Sequence, residues 1–370
     1  MSESNKRNFI VHGSILAIAG ILVRIIGMLY RIPVVNIIGS EGNGIYGAAF
    51  NIYNIMLVLS SYGLPMAVSK LVSARFTKRR YKSAAKVLRC SLMVAVCTGG
   101  IAALLVFFGA SFIENVIYGG GLPGLAIPLR ILAPTIFLVA ILGVIRGFFQ
   151  GQSTMIPTAV SQILEQIVNA IVSIAAGYGM MKAFASSPDV AAYGAAGSTL
   201  GTAMGALTAV LFMGFLYAVY TPTFNRLKRK DRHTENQSTG QICKIIIYTM
   251  IPIILGQTFY QISALIDDVM FSNIMVGRDI TKSISMDLGN FSSSYSLLIG
   301  IPQGVASAMS ASMLPSVVAS FTDRDYDSIY DKITKTLKTN MFIAVPSFVG
   351  LFVICLLYTS PSPRDRQKSR

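Results

Sequence analysis

Long apolar stretches alternate with short polar segments along almost the whole chain. A helix of about 20 apolar residues crosses a hydrocarbon core about 30 Å thick, and no backbone polar group is then left without a partner. Nine stretches meet this length, at 9–37, 44–72, 84–109, 125–149, 154–181, 193–220, 242–275, 288–318 and 338–358. The pattern therefore predicts an all-α polytopic membrane protein.

Composition supports this prediction, and the position of the basic residues decides how the positive net charge is interpreted. The chain is 53% hydrophobic and 13% charged, with a mean hydropathy of +0.61, whereas a soluble domain carries about 25% charged residues. The formal net charge of +15 would suggest nucleic acid as a partner in a soluble protein. Here the basic residues lie between the apolar spans, where they face anionic lipid. The bilayer is the predicted partner, and nucleic acid is not.

The basic residues are also divided unequally between the two sides. With the N-terminus inside, the predicted external loops hold only Lys182, Arg278 and Lys282. The remaining loop lysines and arginines fall in the cytoplasmic segments, and such asymmetry over short loops indicates orientation. We therefore predict a multi-pass protein of the cytoplasmic membrane with a cytoplasmic N-terminus.

An internal repeat divides the chain into two lobes. Asn36 recurs as Asn273, and the run Gly63-Leu-Pro65 recurs as Gly300-Ile-Pro302, all offset by 237 positions. Parallel repeats of this kind frame a central cavity in transporters. The predicted organisation is a six-helix lobe over 1–220, a cytoplasmic linker over 221–241, a partial three-helix lobe over 242–358 and a non-native or disordered tail over 359–370. We expect the second lobe to be cut short.

The first span carries two arginines, Arg24 and Arg31, seven positions apart and so on nearly one helical face. An arginine inside a bilayer costs at least about 2.5 kcal/mol on insertion scales unless it faces protein or water. The pair therefore predicts a hydrated cavity with a substrate-binding or gating role, although Arg31 could also extend to the interface.

Polar stripes on two other spans predict further cavity residues. Span five carries Gln162, Glu165, Gln166 and Asn169, and span seven carries Gln257, Gln261, Asp267 and Asp268. Glu165 could pair with Arg24 or bind a coupling ion, and these alternatives stay open. The offset of 237 places Asp268 opposite Arg31, either across the cavity or in a salt bridge that acts as a gate. Lys70 is an accessory candidate that fits a snorkelling anchor better than a ligand.

Other patterns argue against catalysis. The segment Gly39 to Gly44 lacks the lysine of a phosphate-binding loop. Asp323 and Asp325 form a D-x-D pair in a charged loop without a surrounding domain, and two histidines predict no metal centre. We expect no enzyme activity, no metal and no cofactor, with Na⁺, H⁺ or the membrane potential as the open choices for energy coupling.

The run Arg146-Gly-Phe-Phe-Gln-Gly151, continuing through Pro157 to Gln162 and then Glu165-Gln166, resembles the polysaccharide-transporter branch of the multidrug/oligosaccharidyl-lipid/polysaccharide (MOP) exporter superfamily. The likeness is closest to the stage V sporulation protein B and Gram-positive lipid II flippase group. It implies a MATE-like bundle of two six-helix lobes around a cavity that alternates between leaflets. It also implies an undecaprenyl-pyrophosphate-linked oligosaccharide or peptidoglycan precursor as substrate, and cell-wall or polysaccharide synthesis proteins as partners.

Two rival functions stay open on the residues alone. One is an ion-coupled multidrug exporter of the same superfamily, with Glu165 or Asp268 as the Na⁺ or H⁺ site. The other is a membrane-embedded glycosyltransferase or ligase, which normally needs large acidic loops. The loops predicted here are short and basic, and they argue against that class.

Overall fold

The structure, a computed structural model, describes residues 3–152, 154–231, 238–278, 284–291, 302, 313, 317, 320 and 325–359. All regular structure in these residues is helical. The α-helices are α1 (Glu3–Ser60), α2 (Leu64–Thr77), α3 (Tyr81–Phe112), α4 (Ala126–Gly151), α5 (Ile156–Ala183), α6 (Val190–Lys230), α7 (Thr239–Val276), α8 (Ile284–Phe291) and α9 (Tyr326–Thr359). A five-residue π-helix, Ile113–Ile117, extends α3.

The chain forms two compact units. One is Ile18–Ser296, and the other combines Met1–Ala17 with Leu297–Arg370. The larger unit holds most of α1 and all of α2 to α8, and the smaller unit holds α9. Gly300, Asp323 and residues 360–370 of the predicted tail lie outside the described residues, as does most of the eighth predicted span.

Seven helical segments in the described part of the chain are long and apolar enough to cross a membrane. They comprise Ile18–Thr77, Tyr81–Ile117, Ala126–Gly151, Ile156–Ala183, Val190–Lys230, Thr239–Phe259 and Tyr326–Val353. These segments confirm the prediction of an all-α polytopic membrane protein.

The first two predicted spans form a hairpin that turns at Gly39. This glycine has φ 71° and ψ 178° inside α1, a left-handed φ that residues with a Cβ rarely adopt. The guanidinium carbon of Arg31 lies 5.8 Å from the centre of the Tyr46 ring, although 15 residues of a straight helix would span about 22 Å. The two parts of α1 in the larger unit, 18–38 and 40–60, therefore fold back against each other.

The second predicted span, 44–72, is wrong as one continuous helix. It breaks at Ser61 to Gly63, and α2 starts at Leu64 with Pro65 in its first turn. Proline has no backbone N–H and fits the first turn of a helix, where that donor would have no helical partner. The Gly-Leu-Pro run, used above only as a repeat marker, was the signal for this break.

Helices α5 and α6 pack closely along a stripe of small residues. Gly197, Gly201 and Gly205 lie on one face of α6, as their spacing predicts. A Cβ built on Gly205 would stand 2.6 Å from the carbonyl oxygen of Glu165, and one on Gly201 would stand 2.6 Å from that of Asn169. This contact confirms the predicted close packing and fixes the polar stripe of α5 relative to α6.

The second segment of α1 crosses α8 with a glycine on each helix. A Cβ on Gly44 would collide with the backbone of Ser285, and one on Gly289 would collide with the backbone of Ser40. The buried amide of Asn43 donates a hydrogen bond of 2.8 Å to the carbonyl oxygen of Gly289. The backbones touch at this crossing, so there is no room for a side chain.

We expect Gly44→Ala to destabilise the protein. Replacing glycine by alanine at an open position of a helix normally stabilises the folded protein. Where the added methyl group overpacks a contact, the folded protein is typically destabilised by about 1–3 kcal/mol. The matched control is Gly20→Ala on the same helix, because a Cβ at Gly20 meets nothing within 4 Å. Thermal unfolding in detergent should show a lower Tm for Gly44→Ala alone. Equal Tm values for the two variants would contradict the crossing.

Candidate functional site

Polar side chains from three helices form one face of the larger unit. We call this face the polar wall: Arg24 and Arg31 on α1, Arg146 on α4, and Glu165, Gln166 and Asn169 on α5. These helices are otherwise strongly apolar. Polar groups in such helices usually face protein or a water-filled cavity, which makes this wall the candidate site.

Arg146 and Glu165 form an ion pair at the centre of the wall. The Nη2 atom of Arg146 lies 2.7 Å from Oε2 of Glu165, and the two side chains are 14% and 27% exposed. The Nε atom of Arg146 also donates to Ser161 Oγ at 2.9 Å. The observed partner of the Glu165 carboxylate is Arg146, and the predicted pairing of Glu165 with Arg24 stays a prediction.

The arginine-bearing face of α1 points toward the polar stripe of α5. Arg24, Gly27 and Arg31 share this face because they are three and four residues apart. A Cβ built on Gly27 would stand 3.2 Å from Nε2 of Gln166. Gly27 therefore lies directly under that side chain, and the α1 arginines flank the contact on either side.

The two α1 arginines have different surroundings. Arg24 is exposed, whereas Arg31 is partly buried with its guanidinium carbon 5.8 Å from the centre of the Tyr46 ring. Tyr46 is buried and belongs to the second segment of α1. Arg31 is thus held by the hairpin at Gly39, and Arg24 lies on the open part of the wall.

Asn169 joins α5 to its neighbours through a buried network. Its side chain is 8% exposed. Its Nδ2 atom donates to the Tyr30 hydroxyl at 3.3 Å, and its Oδ1 atom accepts from Ser173 at 2.9 Å and from Thr202 at 3.5 Å. These contacts show Asn169 as a structural link between α1, α5 and α6.

We expect Asn169→Ala to lower stability, because it removes the hydrogen bonds of this buried side chain to Tyr30, Ser173 and Thr202. Such a loss costs about 1–3 kcal/mol. Ile171→Ala is the matched control, since Ile171 lies on the same helix and is 63% exposed. Unfolding in detergent should separate the two variants, and an unchanged Tm for Asn169→Ala would show that the network contributes nothing.

On α7, Asp268 is bound by an asparagine of α1. The Nδ2 atom of Asn51 donates to Oδ2 of Asp268 at 2.6 Å. One turn later, Ser272 Oγ donates to the Tyr118 carbonyl oxygen at 2.8 Å and Asn273 Nδ2 donates to that of Ile117 at 2.7 Å. The contact predicted between Asp268 and Arg31 stays a prediction, and the observed ties join this end of α7 to α1 and to the loop after α3.

The accessory candidates take several positions. Gln162 is half-buried on α5, four residues before Gln166 on the polar stripe. On α7, Gln257 and Gln261 are half-buried and Asp267 is exposed. Lys70 is exposed on α2 and lines a cleft against α7, away from the polar wall.

Sequence reasoning missed Arg146 and Asn51 as site residues. Arg146 lies inside α4, five residues before its end at Gly151, and its position in an apolar span was the available signal. Asn51 is an uncharged amide among mostly apolar and aromatic residues of α1, with no charge to mark it. Its role becomes visible only when α7 is placed against α1.

Two kinds of sequence comparison agree on a family. The profile described as "Polysaccharide biosynthesis protein" matches residues 10–321. In Bacillus subtilis (strain 168), the chain is 28% identical to Lipid II flippase MurJ, over 92% of this chain and 63% of MurJ. It is 24% identical to Stage V sporulation protein B, over 94% of this chain and 65% of that protein. The chain thus spans less than two thirds of the length of these relatives.

Solved structures agree on the fold. "Crystal structure of MATE in the straight conformation" matches with a TM-score of 0.65 and 16% identity, over 98% of this chain and 76% of that one. An outward-facing multidrug resistance MATE family transporter of the MOP superfamily matches with a TM-score of 0.63 and 17% identity, over 95% and 74%. The bundle is MATE-like, as predicted. The chain belongs to the polysaccharide biosynthesis protein family.

Proposed function

We propose that the protein is a flippase that moves a pyrophosphate-linked oligosaccharide or peptidoglycan precursor across the cytoplasmic membrane by alternating access. Transport runs from the inner to the outer leaflet and supplies polysaccharide or cell-wall synthesis, whose proteins are its partners. The N-terminus is cytoplasmic in this proposal. A relative named as a lipid II flippase supports the substrate class.

The observation that carries the proposal is the arginine-bearing face of α1 against the polar stripe of α5. The polar wall has three arginines, Arg24, Arg31 and Arg146, and one carboxylate, Glu165, which is paired with Arg146. Arginines therefore outnumber carboxylates among these described side chains. Such a surface suits an anionic headgroup and disfavours a cationic drug.

The chemistry of arginine matches a pyrophosphate. Its planar guanidinium can make two parallel hydrogen bonds to phosphate oxygens, and these charge-assisted bonds are stronger than neutral ones. Arg24 is exposed on the wall and is the residue we assign to first contact with the headgroup. Arg31, held over Tyr46, is assigned to the deeper position.

The second candidate is a Na⁺- or H⁺-coupled multidrug exporter. The likeness to MATE structures and the intramembrane carboxylate of Asp268 favour it. In that case the coupling ion would bind the carboxylate of Asp268 and displace the side-chain amide of Asn51 from it. Glu165 is the weaker candidate for this role, because Arg146 already neutralises it.

Competition between the two substrate classes tests the proposal. The protein is reconstituted and tested for binding of a fluorescent cationic dye or of a fluorescent undecaprenyl-pyrophosphate oligosaccharide. We expect the pyrophosphate lipid to bind and unlabelled pyrophosphate lipid to displace it, while the dye does neither. Dye binding that a pyrophosphate lipid leaves unchanged would move the assignment to the multidrug exporter.

A further inference from the structure

A cleft separate from the polar wall lies between α2 and α7. Its volume is about 770 Å³, within the range of ordinary ligand sites. Met66 and Lys70 of α2 form one side, and Lys244, Tyr248 and Pro252 of α7 form much of the other. Both helices belong to the larger unit.

Packing next to the cleft gives it a fixed shape. Ile242, Ile246 and Met250 repeat every four residues along α7 and are buried against the core of α2, α3 and α4. A Cβ on Gly63 would stand 3.0 Å from Cβ of Met250. The cleft residues of α7 lie on the adjacent face of the helical turns that carry Ile242, Ile246 and Met250. The wall of the cleft is therefore held in place by this packing.

The charges of the cleft are all of one sign among the described residues that line it. Lys70 and Lys244 come from different helices, and the lining includes no acidic side chain. Lys244 Nζ lies 5.7 Å from the centre of the Tyr248 ring, which holds the ammonium group near the cleft. Two ammonium groups in one cleft repel each other, and a bound anion would relieve that repulsion.

The apolar residues lie along the same cleft. Met66 is 60% exposed, and Pro252 and Ile253 continue the lining one to two turns beyond Lys244 and Tyr248 on α7. A ligand that fits has an anionic head at the lysines and an apolar chain beside Met66 and Pro252. A soluble anion would leave the apolar part of the lining unused.

We propose that the α2–α7 cleft binds the phosphate headgroup of a membrane lipid, with Lys70 and Lys244 contacting the phosphate and the lipid chain lying along Met66, Pro252 and Ile253. In the orientation proposed above, the lysines face the inner leaflet. The site does not use the polar wall. Its ligand has two sources with shared chemistry, an anionic glycerophospholipid and the pyrophosphate lipid itself, and only the second source rests on the proposed function.

The test measures lipid binding by native mass spectrometry of the full chain in detergent. The probes are phosphatidylglycerol, polyprenyl pyrophosphate and diacylglycerol, which lacks phosphate. The variant is Lys70→Gln/Lys244→Gln. The matched control is Lys78→Gln/Lys82→Gln, which removes the same charge from exposed positions near the same end of α2 but outside the cleft.

We expect the cleft variant to bind at least one phosphate lipid about tenfold more weakly than the wild type and the control, with diacylglycerol unchanged. A loss confined to phosphatidylglycerol identifies a phospholipid site. Weaker binding of polyprenyl pyrophosphate by the cleft variant identifies the cleft as the entry site of the transported lipid. Equal binding of both phosphate lipids by all three proteins would overturn the proposal and leave the proposed function untouched. All lysines changed are exposed, so matching unfolding temperatures exclude a folding defect.

Discussion

Replacing Glu165 by glutamine is expected to destabilise the protein strongly, and transport should fall with it. The substitution leaves the guanidinium of Arg146, which is 14% exposed, without its carboxylate inside an apolar bundle. Breaking one side of a fully buried ion pair costs about 3–5 kcal/mol, which is the upper bound for this part-buried pair. The measurement is thermal unfolding in detergent, followed by transport in proteoliposomes.

A charge swap separates the ion pair from a coupling-ion role. In the double variant Arg146→Glu/Glu165→Arg, opposite charges still meet between α4 and α5, so part of the lost stability should return. Arg146→Gln/Glu165→Gln should also be milder than Glu165→Gln, because no isolated charge remains. A Glu165→Gln protein with wild-type Tm that has lost only its dependence on Na⁺ or H⁺ would contradict the structural pairing.

Replacing Arg24 by alanine is expected to reduce lipid transport about tenfold or more while leaving the fold intact. Arg24 is exposed on the polar wall, so truncation creates no buried cavity. A charge-assisted hydrogen bond contributes about 1.5–3 kcal/mol, and about 1.4 kcal/mol corresponds to a factor of ten. The measurement is the initial rate of leaflet translocation, with the reconstituted amount of protein held equal.

Two matched variants sharpen this result. Arg24→Lys keeps the charge but loses the planar fork, so it should restore transport only in part. Ile25→Ala changes a neighbouring α1 residue that is 46% exposed and should leave transport unchanged. Equal transport by Arg24→Ala and wild type would remove Arg24 from the site.

Much of the fold was predictable from the hydrophobic pattern, because a bilayer demands long apolar helices and tolerates little else. The close packing of α5 on α6 followed from the spacing of Gly197, Gly201 and Gly205. The break at Ser61 to Gly63 was not predicted, since hydropathy continues smoothly through Gly63-Leu-Pro65. Here the local chemistry of proline, rather than apolar length, decides where the helix restarts.

The residue types of the site were also predictable, but their partners were not. A polar stripe such as Glu165, Gln166 and Asn169 can be read from helical spacing on one helix. Whether Glu165 meets Arg24 or Arg146 depends on how α4 and α1 pack against α5, and no local pattern encodes that. The pairing of Asn51 with Asp268 likewise joins residues 217 positions apart.

The central claim is that the arginine-bearing polar wall moves a pyrophosphate-linked lipid. Its most direct test is leaflet translocation by the protein in proteoliposomes, with a fluorescent undecaprenyl-pyrophosphate oligosaccharide beside the same oligosaccharide on an uncharged lipid anchor. The account predicts rapid movement of the pyrophosphate form and little movement of the uncharged form. Equal rates for both, or movement of neither beyond that in protein-free vesicles, would contradict it.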